Sequence, residues 1–178
     1  MSVLETKRLK LRLITLDDGE FILELLNDPD FVRFVGDKGV RTIDDACRYI
    51  LSGPKASYDR YGFGLWLVEL QSPKLSIGIC GLLKREPLED ADLGFAFLPR
   101  FRSCGYARES ASAVLQHGRE VLGLKRIVAI TDRDNAGSIR VLEKLGMSFE
   151  RMIRMSPDQP EIELHASEVT VDHEDRCA

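Results

Sequence analysis

A chain of 178 residues with a formal charge of −4, 44% hydrophobic and 30% charged, has the makeup of one globular domain with a real core. No basic arm or lysine run marks a nucleic-acid partner, no apolar stretch approaches membrane length, and Met1-Ser2-Val3-Leu4-Glu5 lacks the regions of a secretory signal. The cysteines (Cys47, Cys80, Cys104, Cys177) and histidines (His117, His165, His173) are scattered, which argues against a metal centre or disulfide framework and for a reduced, cytoplasmic setting.

Arg8 to Leu13 alternates charged and apolar residues, the period of a half-buried strand. Thr15-Leu16-Asp17-Asp18 starts a helix carrying Phe21, Ile22, Leu25 and Leu26, and Asn27-Asp28-Pro29 ends it. Thr42-Ile43-Asp44-Asp45 opens a second, with Ala46, Ile50 and Leu51 on one face. Gly64 to Leu70, Leu75 to Leu83 and Asp92 to Leu98 are strand-length runs joined by short polar links, an antiparallel meander. From Gly105 to Leu122 the period is helical, with Ala107, Ala111, Val114, Leu115 and Leu122 in one stripe. A strand at Arg126–Thr131, a helix at Ala136–Leu145 and strands at Met147–Arg154 and Glu161–Val169 complete the order, before a polar tail. The pattern predicts a mixed, largely antiparallel sheet with helices packed on it.

Leu93, Phe95 and Phe97 share the core face of the strand before Pro99. On its other face Gly94 and Ala96, between Asp92 and Leu98, leave room for another backbone or a ligand. Arg102-Ser103-Cys104-Gly105-Tyr106-Ala107 then runs straight into the long helix. A helix start offers unpaired N–H groups and a positive dipole end, and Arg100, Arg102 and Arg108 add charge, so this turn reads either as an anion site or as an ordinary capped helix start.

These elements, with Glu5 to Arg12, Gly78-Ile79-Cys80-Gly81-Leu82, Asp92 to Pro99, the RxxGxA turn and Asp134-Asn135-Ala136-Gly137-Ser138 through Leu145-Gly146-Met147, resemble the GNAT acetyltransferases. The nearest likeness is to the ribosomal-protein N-terminal acetyltransferase branch. The resemblance implies an α/β fold with a mixed, mostly antiparallel sheet of about six or seven strands and helices on both faces. It implies one domain over residues 1–171, a tail at 172–178, and transfer of acetyl from acetyl-CoA, a co-substrate, directly to a primary amine. The acceptor would be a protein N-terminus or a small-molecule amine. Phe97 and Leu98 would offer backbone to pantetheine. Arg102, Ser103, Cys104, Gly105, Tyr106 and Ala107 would hold the pyrophosphate, and Asn135 and Ser138 would reach the pantetheine amides. Ser103 stands where the family turn often has glycine, and Arg102 where it often has an aromatic residue. Leu142 stands where many members carry the tyrosine that protonates the departing thiolate, for which Ser138 is the candidate stand-in.

Acetyl transfer from a thioester needs a neutral amine, and an aliphatic ammonium has a pKa near ~10.4, so a base or water chain must take the proton. Asp92, on the small-residue face, reads either as the base or as a solvated turn carboxylate in the acidic run Glu86 to Asp92, with Glu89 and Asp90 as rival bases on the same turn. Cys104 has no histidine close in sequence and reads as a bystander rather than a nucleophile. Trp66, Phe63 and Tyr61 fit an acceptor pocket or ordinary packing. The competing reading is a non-catalytic acyl-CoA binding or sensing module on the same fold.

Overall fold

A computed structural model describes residues 2–167, so the predicted tail and the end of the last predicted strand lie outside the described residues. Eight strands form one sheet in the order β1-β2-β3-β4-β5-β6-β8-β7. They are β1 (Ser2–Glu5), β2 (Leu9–Leu13), β3 (Leu65–Leu70), β4 (Leu75–Leu83), β5 (Ala91–Phe97), β6 (Ile127–Thr131), β7 (Met147–Ile153) and β8 (Ile162–Ser167). The sheet exceeds the expected size because Ser2–Glu5 adds an edge strand antiparallel to β2. β2 to β5 form the predicted antiparallel run.

Six α-helices among the described residues accompany the sheet: α1 (Gly19–Leu26), α2 (Pro29–Val35), α3 (Ile43–Ile50), α4 (Ala56–Tyr61), α5 (Tyr106–Glu120) and α6 (Ala136–Lys144). α3 begins with a reciprocal capping box, in which Asp45 N–H donates to Thr42 Oγ1 (3.1 Å) and Thr42 N–H to Asp45 Oδ2 (2.9 Å). α2 adds to the helices expected from the sequence, because Asp28-Pro29 reads equally as the end of one helix and the start of the next. Asp28 caps it, accepting from Phe31 N–H at 3.0 Å, with Pro29 in the first turn where no N–H is needed.

Two cores follow from the alternation of the strands. On one face, Ala111, Val114 and Leu115 of α5 and Leu142 of α6 pack on Trp66, Leu93 and Phe97. On the other, Ile22 and Leu25 of α1, Phe31 of α2 and Ala46 and Ile50 of α3 pack on Leu67, Ile79 and Leu98. Gly81 permits the tight sheet between them: a Cβ there would lie 2.0 Å from the Gly64 carbonyl oxygen.

The junction of β5 with β6 is parallel and short. Only Ala91↔Ile127 and Asp92↔Val128 pair before the strands part. Arg126 pins the closed end, binding Asp90 (2.5 Å) ahead of β5 and Glu150 of β7. Beyond it, β5 runs on with a free edge.

Candidate active site

A cleft of about 850 Å³ occupies the gap between β5 and β6. Leu93 and Phe95, from one face of β5, and Asp92, Gly94 and Ala96, from the other, all line it, so the cavity passes through the sheet.

The direction of the β5 backbone determines what the gap offers. Leu98 N–H donates to Ile77 O across the β4 side at 3.1 Å. In an antiparallel ladder successive residues face opposite neighbours, so Phe95 and Phe97 turn their N–H and C=O groups toward the gap. Leu98, a sequence candidate for this role, has its N–H committed to β4. The Phe97 carbonyl accepts from Arg102 Nε at 2.9 Å.

A single 3-10 turn, Pro99–Phe101, leads from β5 to the anion-binding turn. Among the described residues no acceptor meets the backbone N–H groups of Ser103, Cys104, Gly105, Tyr106, Ala107 or Arg108, and α5 has no side-chain cap. Six uncapped donors at the start of a 15-residue helix form an anion cradle. Gly105 adopts φ 81°, and Ser103 is also left-handed at φ 60°, a region that favours glycine.

The charges around this turn differ from those the sequence offered. Arg102 N–H bonds Pro99 O (3.2 Å), and its guanidinium grips Asp28 and Asp30 of the α2 start. Arg100 pairs with Glu24 of α1 at 2.6 Å. Arg102 and Arg100 thus fasten the turn to the helices rather than face its N–H groups. A further cation reaches the turn from far away in the sequence: Arg8, ahead of β2. Its NH1 donates to Cys104 O (3.1 Å), its Nε meets Glu109 (2.7 Å), and its guanidinium lies 4.5 Å from the Tyr106 ring centre. No local pattern marks Arg8; its 96-residue separation from Cys104 hides it. Cys104 is exposed.

Across the gap, Asn135 caps α6, its Oδ1 accepting from Ser138 N–H at 3.1 Å. Asn135, Ser138 and Leu142 all line the cleft. The Asn135 Nδ2 group and the Ser138 hydroxyl have no protein partner among the described residues, so both are available to a ligand there.

Asp92 is fully buried. Its Oδ1 accepts from Ile130 N–H at 3.2 Å, and its Oδ2 lies 2.7 Å from Arg85 Nε. That second contact is an ion pair off hydrogen-bond alignment, since neither atom finds a well-directed partner. Burial raises the Asp92 pKa to about 6, against the opposing pull of Arg85 and the Ile130 N–H. Asp90 is held by Arg126, and neither it nor Glu89 lines the cleft as Asp92 does. Trp66 is core, edge-on to His117 at 5.4 Å, and neither it, Tyr61 nor Phe63 lines the cleft. The wall opposite β5 comes instead from Arg33, Lys38 and Tyr49, with Met155 and Gln159 of the β7–β8 loop. Tyr49 comes from α3, whose helical period is plain in the sequence, but no motif marks it, Arg33 or Lys38 as cleft residues.

Residues 8–148 match the family model described as "Acetyltransferase (GNAT) domain". The uncharacterized N-acetyltransferase YoaA of Bacillus subtilis is 31% identical over 85% of this chain and 86% of its own length. Ribosomal-protein-S5-alanine acetyltransferase from Vibrio fischeri superposes with a TM-score of 0.76 at 16% identity, covering 96% of this chain and 98% of that one. Spermidine N-acetyltransferase from Vibrio cholerae, solved with CoA and spermine, superposes at 0.73 and 17% identity, over 90% and 95%. Among the described residues no helix is long and apolar enough to cross a membrane.

Proposed function

Because the chain belongs to the GNAT acetyltransferase family and is an acetyl-CoA-dependent N-acetyltransferase, we propose that it moves acetyl directly onto a primary amine held in the β5–β6 cleft. The acceptor is a small-molecule amine or a protein N-terminus, as in the ribosomal-protein branch that the sequence motifs resemble. The observation that carries this reading is the free edge of β5 ending in six unpartnered N–H groups.

The residues present fit acetyl-CoA. Phe95 and Phe97 offer backbone groups to the amides of an extended pantetheine arm, as an added strand would. Ser103 to Ala107 hold the pyrophosphate through N–H groups, with Arg8 beside them. The Asn135 amide reaches the pantetheine from the opposite wall. Bound acetyl-CoA supplies an activated acetyl thioester.

The chain's own residues manage the proton. A carboxylate with a pKa of about 6 is ionised at neutral pH yet more basic than an exposed aspartate, which suits Asp92 to receive the amine proton. Its oxygens are sealed from solvent behind Arg85, so the proton arrives through a water or past a displaced Arg85. Ser138 donates a hydrogen bond toward the departing sulfur in place of the tyrosine that Leu142 replaces.

The test is release of CoA thiol by the purified protein across amino acids, polyamines and N-terminal peptides. Asp92→Asn should lower kcat by roughly 10²-fold or more and remove the acidic limb near pH 6. Tight acetyl-CoA binding with no turnover of any amine would instead describe a binding module.

A further inference from the structure

The acceptor side of the cleft has a charge pattern of its own. Six charged residues line the cavity: Arg33, Lys38, Arg85, Glu86, Asp92 and Asp132. Asp132 lies just ahead of α6, on the donor side, and accepts from Asp134 N–H at 2.8 Å. The remaining five leave the acceptor half one positive charge in excess, in a protein whose net charge is −4.

The placement matters more than the sum. Arg85 is balanced by buried Asp92 at 2.7 Å. Lys38 has no carboxylate partner among the described residues; its Nζ donates only to the Val35 carbonyl, at 3.0 Å. Arg33 likewise has no carboxylate partner there and rests on the Phe34 ring at 4.8 Å. Although Lys38 keeps solvent exposure along its length, desolvation and then the charge of Arg85 lower its pKa. Arg85 acts on the Tyr49 hydroxyl as well, whose pKa burial raises. Lys38, Arg85 and Tyr49 thus bring three kinds of donor, an ammonium, a guanidinium and a hydroxyl, to the lining of one cavity. An anion among them would meet donors of all three kinds, two of them positively charged.

We infer that the acceptor amine carries a carboxylate, as a free amino acid does, seated between Lys38, Arg85 and Tyr49 with its amine directed toward Asp92. This rests on the acetyl-transfer reading above and narrows its acceptor. A polyamine, which brings further positive charge into this mouth, is disfavoured.

The experiment compares CoA-thiol release for free amino acids, the same amino acids as C-terminal amides, and spermidine, with the full-length protein. The amide has the lower amine pKa and is intrinsically the easier nucleophile at neutral pH, so a preference for the acid must come from the protein. The expected result is kcat/KM at least about tenfold higher for an acid than for its amide, with spermidine poorest. Lys38→Met should bring the acid-to-amide ratio toward one by raising KM for the acid, and Lys38→Arg should restore it. The ratio is taken within one preparation, so a partly misfolded variant cannot imitate the effect. Amides or spermidine turned over as well as the acids, or an unchanged ratio in Lys38→Met, would overturn the inference alone. Failure to acetylate any amine would overturn the acetyl-transfer reading together with it.

Discussion

Asp92 Oδ2 and Arg85 Nε stand 2.7 Å apart, the carboxylate sealed inside the protein and the guanidinium 37% exposed to the cleft. Burial dominates this unequal pair, so the folded Asp92 holds its proton to about pH 6, against 3.8 in the unfolded chain. Between those values the native state binds more protons than the unfolded state, and stability falls as pH rises. The size is roughly 3 kcal/mol for a shift of about two pKa units. Asp92→Asn should remove this decline between about pH 4 and pH 7 in urea titrations. Asp18 is lowered and His117 is lowered, so each contributes with the opposite slope: Asp18 loses stability as pH falls below its unfolded value, and His117 gains as pH rises toward its own. The difference between wild type and variant isolates Asp92, and identical profiles would show that its ionisation is not linked to folding.

Arg102→Ala should cost stability before it costs CoA affinity. It leaves Asp28, 4% exposed, without its cation, and frees the link between the turn and α2. Breaking a buried pair costs about 3–5 kcal/mol, and the one-third exposure of Arg102 brings the expectation to about 2 kcal/mol. Arg8→Ala should do the reverse, weakening CoA binding roughly tenfold with a small change in Tm. Calorimetric binding and thermal unfolding of both variants check this. A CoA-binding defect confined to Arg102→Ala would make Arg102 the phosphate ligand after all.

Ser103→Gly should stabilise the protein. Ser103 sits at φ 60°, where a side chain costs roughly 1–2 kcal/mol, partly offset by the extra freedom glycine gives the unfolded chain. A net gain of about 0.5–1 kcal/mol with unchanged CoA affinity is expected, because no N–H is lost. Gly105→Ala, at φ 81° and 3.4 Å from Arg8, should destabilise.

Acetyl-CoA should protect Cys104 from maleimide. Among the described cysteines Cys104 is exposed, Cys47 is intermediate, and Cys80 is buried with its thiol pKa pushed up to about 12. With Cys177→Ser in place, peptide mass spectrometry should find Cys104 labelled first and spared by saturating ligand. Labelled protein that still binds CoA normally would place the pyrophosphate elsewhere.

Periodicity made most of the fold legible in the sequence. The meander, α5 and the α6 cap are local patterns, and their order carried the family resemblance. Long-range partners were not legible. Nothing near Arg102 signals Asp28, 74 residues earlier, nor does the acidic stretch around Asp92 reveal that this one carboxylate turns inward while Asp90 stays at the surface with Arg126. β1 carries no sequence signal of its own, because four residues give too little alternation. Leu98 looked like part of the cofactor edge because a sequence does not show which neighbour a strand residue's N–H will face; the bond to Ile77 decides it.

The two-residue junction of β5 with β6 makes the sheet a book bound along a short spine. Five strands form one cover and three the other, held together by that spine, the Arg126 clasp and the helices. A ligand lying along β5 is therefore also a mechanical tie. By supplying contacts to both covers, it couples them as continued pairing would have done. Hydrogen exchange along β5 beyond Asp92 and along the free side of β6 should slow when acetyl-CoA binds, while β2 to β4 barely respond. Donor binding should then also stiffen the wall of the cleft that carries Asp92 and Gly94, since both belong to the same strand.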